Sequence, residues 1–189
     1  MTPSSSWDSA LLRLFQREVA RQARFASIAE MDLQNAIRDL DAVRADAELY
    51  ARHFARVWAA LQALLVAAGN ASRLLWPANR QERAEREALR ASLDVPRDSP
   101  LRSRKVRDSF EHFDERLLSW WEEGHDTLND TAIGPIEFFT DDASRNTLRH
   151  FDPDAYVLIF RGTRFELKPV LEALERLREN GERLSGLLW

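Results

Sequence analysis

Between Pro3 and Gly69 the chain contains neither glycine nor proline, and Ala, Arg, Leu, Gln and Glu, all good helix formers, dominate the stretch. Apolar residues at Leu11, Leu12, Phe15, Val19, Phe25, Ile28, Ile37 and Leu40 mark one broad face, so a helix is predicted over 7–38 with Ser6 as its cap. Asp39-Leu40-Asp41 is the expected turn, because aspartate favours turns and caps. A second helix is expected over 41–76, with Leu49, Phe54, Val57, Trp58, Leu61, Leu64 and Leu65 inward and Pro77 as its stop. A third, over 80–93, alternates Glu and Arg around Leu89 and Leu93 and reads as a solvated outer helix. The fourth is expected from Ser99 to Gly124. Ser99 can cap it, Pro100 suits its first position, and Val106, Phe110, Phe113, Leu117, Trp120 and Trp121 recur at steps of three and four.

After Gly124 the periodicity changes. Ile136 to Thr140 has the composition of a strand, and Tyr156 to Phe160 is the strongest strand signal in the chain. Arg161-Gly162-Thr163 makes a tight connection to a returning strand at Arg164–Leu167. Pro169 opens a last helix through Leu171, Leu174 and Leu177, with its end expected near Asn180-Gly181. The expected fold is mainly α: an antiparallel four-helix bundle over 1–124, with a small C-terminal antiparallel β-hairpin and helix unit over 125–189 packed on it.

Composition narrows the classes. The 189 residues include no cysteine, so disulfide and thiolate chemistry are excluded. A formal net charge of −4 argues against a protein that coats nucleic acid generally, while leaving room for a local basic site. The N-terminus lacks the charged and apolar regions of a signal peptide, and the most apolar run, Val57 to Ala68, is too short to span a bilayer. A cytoplasmic protein without membrane attachment is expected. No HExxH, GxGxxG, GxxxxGK[ST] or GxSxG pattern occurs, so no metal or other cofactor is expected. His53 and His150 read as ordinary helix and loop residues, Asp152 and Asp154 as turn formers, and the tryptophans as fillers of the core and bundle ends.

One run in the fourth helix stands apart: Arg107-Asp108-Ser109-Phe110-Glu111-His112. Arg107 and His112 lie off the apolar stripe, at the edges of a polar arc holding Asp108 and Glu111. At about 100° per residue they stand roughly 140° apart, so one straight helix does not bring them to one spot. A facing surface would. An arginine, four intervening residues and a histidine resemble the motif of the HEPN superfamily, all-helical domains often found in RNA-cleaving toxins and defence proteins. The usual residue after the arginine is asparagine; here it is Asp108. The resemblance covers roughly residues 7–123. It implies a metal-independent endoribonuclease with Arg107 and His112 catalytic, Asp108 and Glu111 supporting, and a homodimer that pairs two motifs in one cleft. The chemistry suits those residue types. A histidine can exchange protons near neutrality, and a guanidinium can meet the charge of a phosphorane. Two other readings stand beside this one: an inactive HEPN-like scaffold that binds a protein partner, and a toxin-like chain whose motif is modified by a cognate nucleotidyltransferase.

Overall fold

The computed structural model describes residues 8–103, 113–123, 129–138 and 147–185. They fall into two compact units, one of residues 1–103 with 170–189 and one of residues 104–169.

The first unit is built on two long helices, α1 (Ser9–Ala42, 34 residues) and α2 (Ala47–Leu75, 29 residues). The Asp8 carboxylate caps α1 by accepting the Ala10 N–H at 3.1 Å. The turn expected at Asp39–Asp41 falls later. Leu40 is only 5% exposed, and α1 runs past it to Ala42. Asp39 and Asp41 instead receive Arg56 at 3.0 Å and Arg44 at 2.7 Å on the helix surface. The capping aspartate is Asp46, which accepts the Glu48 and Leu49 N–H groups, both at 3.0 Å. Arg56 reaching Asp39, and Asn70 donating to Gln22 at 3.2 Å, show that α2 runs antiparallel to α1. Their buried positions are rich in alanine, with Ala20, Ala23, Ala26, Ala29 and Ala36 on α1 and Ala60, Ala67, Ala68 and Ala71 on α2. Small side chains let helix backbones approach closely. By length and composition α2 is apolar enough to cross a membrane, yet Val57, Leu61, Leu64 and Leu75 are buried within the fold.

Helix α3 (Arg80–Ser92) is more than a solvated cover. Leu89 and Leu93 are fully buried, and the Arg86 guanidinium lies 4.0 Å from the centre of the Phe15 ring. Arg90 donates to the Leu75 carbonyl at 2.6 Å, occupying an acceptor that the end of α2 leaves open.

The continuous helix expected from Ser99 is absent at its start. Ser99 and Pro100 begin only a 3-10 turn, Pro100–Arg102, and Ser103 is extended (φ −67°, ψ 126°). A serine-proline start signal marks where one turn can begin; propagation depends on what each further turn buries. Residues 104–112 lie outside the described residues, and the second unit contains the helix α4 (Phe113–Glu122). Trp120 is buried there, whereas Leu117, expected on the same apolar stripe, is 40% exposed.

The larger correction concerns the β structure. It is a four-stranded mixed sheet, not an antiparallel hairpin: β1 (Asn129–Ile133), β2 (Thr147–Asp152), β3 (Val157–Phe160) and β4 (Thr163–Glu166), in that order across the sheet. β1 and β2 are parallel, with Thr131 opposite Arg149 and Ile133 opposite Phe151; the remaining pairs are antiparallel. The strand expected at 136–140 is a 3-10 turn over Ile136–Phe138, and residues 139–140 lie outside the described residues. The β3–β4 connection is a two-residue turn at Arg161 (φ 47°) and Gly162 (φ 71°), both in the left-handed region that such hairpins require. The last helix, α5 (Lys168–Ser185), lies with the long helices of the first unit from Val170 onward. Arg24 pairs with Glu182 at 3.2 Å and Ser27 approaches Glu175 at 3.4 Å, so α5 runs antiparallel to α1. The expected four-helix bundle over 1–124 is therefore not the arrangement found. The described helices are five, and α5 takes a place in the helical unit.

Candidate functional site

The four residues of the expected site, Arg107, Asp108, Glu111 and His112, lie outside the described residues, as do 104–112 altogether. What is described is the chain on either side. Upstream, the segment leaving α3 is tightly held. Ser99 donates from its backbone to Pro96 at 3.2 Å, Arg102 to Ser99 at 3.0 Å and Ser103 to Pro100 at 3.2 Å. Ser99 and Leu101 are buried, whereas Arg97 and Arg102 are exposed. Downstream, the described residues of α4, Phe113–Glu122, present Leu118 (60% exposed) and Trp121 (57% exposed).

The densest buried polar arrangement described is on β2. Asp152, 3% exposed, accepts three backbone N–H groups: Ile136 at 2.9 Å, Asp154 at 3.0 Å and Ala155 at 2.9 Å. It fastens the β2–β3 turn to the chain leaving β1. Burial pushes this carboxyl up, but the three N–H bonds and nearby His150 outweigh that and hold it below its ordinary value. His150, 2% exposed, donates from Nε2 to the Gly134 carbonyl at 2.7 Å. Burial lowers its pKa, opposed by Gly134 and by the Asp152 charge, so the neutral ring is the folded form. Both groups are committed to the backbone of their own unit, and the pair is a structural stitch.

A cleft of about 360 Å³ lies between α1 and α5, lined by Ala26, Ser27, Glu30, Leu171, Leu174 and Glu175 among others. Burial raises the Glu30 carboxyl, with Gln34 opposing and Glu175 adding repulsion. Its charged lining is three carboxylates, Glu30, Glu172 and Glu175, against one cation, Arg176, a balance that does not favour a phosphate. Among the described residues, no group of three His, Asp or Glu side chains is placed to hold a metal ion. Reading the sequence assigned Asp152 to a turn and missed its burial. The available signal was its position two residues before another aspartate in Asp152-Pro153-Asp154, directly after the apolar Phe151. Comparison of the chain with protein-family models, with curated proteins and with solved structures finds no match.

Proposed function

We propose that this protein is a metal-independent endoribonuclease of the HEPN kind, acting in the cytoplasm within a toxin or defence system. The observation that carries the reading is the spacing Arg107-Asp108-x-x-x-His112, placed after two long capped helices and immediately before α4. His112 takes the proton of a ribose 2′-OH, the 2′-oxygen bonds to phosphorus, and the P–O5′ bond breaks. The His112 of a second copy returns a proton to the departing 5′-oxygen. Arg107 meets the negative charge of the phosphorane, and Asp108 and Glu111 orient the histidine or raise its pKa. A two-fold dimer supplies the facing motif that a single helix lacks. The exposure of Leu117, Leu118 and Trp121 on α4 supports an apolar contact beside it.

The same exposed side chains also favour a second reading, an inactive HEPN-like scaffold that binds a protein partner, and Asp108 in the asparagine position agrees with it. End-group analysis separates the two. The ribonuclease leaves 2′,3′-cyclic phosphate and 5′-OH termini on single-stranded RNA; the scaffold leaves the RNA whole.

A further inference from the structure

Six positions of α1 follow one another at steps of three and four: Leu11, Leu14, Glu18, Arg21, Phe25 and Ile28. That is a seven-residue repeat, so the six lie along one seam of the helix. The buried Val19, Ala23 and Ala26 face away from it, into the first unit. The seam itself meets water: Leu11 is 40% exposed, Leu14 53%, Phe25 49% and Ile28 52%. Large apolar side chains aligned on the outside of one helix mark a surface that something covers.

The middle of the seam points to the occupant. Glu18 and Arg21 stand there partly exposed and pair with each other, and Gln22 donates to Glu18 at 2.8 Å. A wholly apolar surface laid on the seam would take both charges out of water with nothing further to meet them. A second α1 laid antiparallel, about a two-fold axis between residues 19 and 20, meets them. Glu18 then faces the partner's Arg21, and Arg21 faces the partner's Glu18. The same operation sets Leu11 against the partner's Ile28 and Leu14 against the partner's Phe25. A parallel pair would set Glu18 against Glu18 and Arg21 against Arg21, and like charges in contact repel. One two-fold operation thus gives each of the six positions a matching neighbour, as an isologous interface requires.

We propose that the outer seam of α1 is an interface between two copies of this chain, with the two α1 helices antiparallel. It is separate from pairing through α4 and does not rest on the ribonuclease reading. A single helix seam is small beside the roughly 1,200–2,000 Å² of a stable interface, so it fills at concentrations on the order of 100 µM rather than at micromolar concentration.

The test uses the full chain carrying Leu118→Glu and Trp121→Glu, which removes any contribution from α4. Sedimentation equilibrium from about 10 to about 500 µM should show monomer passing into dimer. Adding Arg21→Glu sets carboxylates against each other and should raise the dissociation constant roughly tenfold. Glu18→Arg together with Arg21→Glu exchanges the pair and should restore association, which separates a lost contact from a lost fold. Because the chain has no cysteine, introduced thiols report orientation. Leu14→Cys mixed with Phe25→Cys should give a mixed disulfide dimer under oxidation. Neither variant should cross-link to itself, since its two thiol positions stand about 16 Å apart, beyond the roughly 7 Å that a disulfide spans. A chain monomeric throughout the range, an Arg21→Glu variant that associates undiminished, an exchanged pair that fails to restore association, or a Leu14→Cys variant that cross-links to itself overturns the proposal.

Discussion

The guanidinium of Arg161, at the β3–β4 turn, pairs with the carboxylate of Glu123, one residue past the end of α4. Within the second unit, this ties the helix that follows the motif to the sheet. Glu123 is half exposed, so water and salt screen the pair. Arg161→Asn keeps a side chain that tolerates the left-handed turn and removes only the pair. Urea unfolding should show a loss below about 1 kcal/mol. A much larger loss would mean that the turn depends on the arginine itself.

Gly181 permits the approach of α5 to α1, because a Cβ built there would lie 2.6 Å from the Ala20 Cβ. In a free helix, glycine to alanine gains up to about 1 kcal/mol. Here overpacking reverses the sign, and Gly181→Ala should cost about 1–3 kcal/mol in chemical denaturation. Adding Ala20→Gly should return part of that loss. A stabilising Gly181→Ala would show that the two helices are not in this contact.

That glycine also shows where sequence reading works and where it stops. Asn180-Gly181 looks like a helix terminus, yet α5 continues to Ser185 because the glycine serves a close contact rather than a cap. The long helices were legible because breakers are absent and the apolar periodicity is sustained. The site of the first turn was not, since Asp39, Asp41 and Asp46 carry the same local signal and only the burial of Leu40 decides among them. Val157–Phe160 and the turn at Arg161-Gly162 were legible from a continuous apolar run and a glycine, whereas Tyr156, expected in that strand, lies in the turn before it at φ 58°. β2 was not. Thr147, His150 and Asp152 look like surface residues, and only a sheet that buries them makes Thr147–Asp152 a strand. β1 is polar at Asp130 and Thr131, and its partner is a strand with no sequence signal of its own. As for the candidate site, Arg107 and His112 stand on spacing and resemblance alone, and they lie outside the described residues.

Acid should weaken the second unit in two stages. His150 is held below its ordinary 6.5, so the unfolded chain takes up the proton first. The stability tied to its neutral form is complete above about pH 6.5 and erodes as the pH falls below that value. Asp152 is held below 3.8, so its contribution is present above that value and is lost as the pH falls further, through its folded pKa. Asp152→Ala leaves buried N–H groups without their acceptor and should cost about 2–4 kcal/mol at neutral pH. Melting followed from pH 8 to pH 3 checks both stages. A melting temperature that rises between pH 6.5 and pH 5 would contradict the burial of a neutral His150.

Dimerisation through the motif-helix face should be visible in sedimentation at micromolar concentration. Leu118→Glu with Trp121→Glu places two charges on exposed apolar positions of α4 and should shift the dimer to monomer. Cleavage of RNA should fall with it, since each copy then lacks its facing motif. A wild-type chain that is monomeric throughout would remove the basis for a composite cleft.

Cleavage of single-stranded RNA by the purified chain in the presence of EDTA, compared with His112→Ala, tests the proposed activity most directly. The wild type should cut with chelator present, and His112→Ala should slow the reaction by about 10²–10⁴, the usual worth of a positioned acid–base group. Arg107→Ala should do comparable damage by removing a cation from the developing phosphorane charge. Cleavage that proceeds unchanged in His112→Ala, or no cleavage by the wild type, would contradict a ribonuclease built on Arg107 and His112.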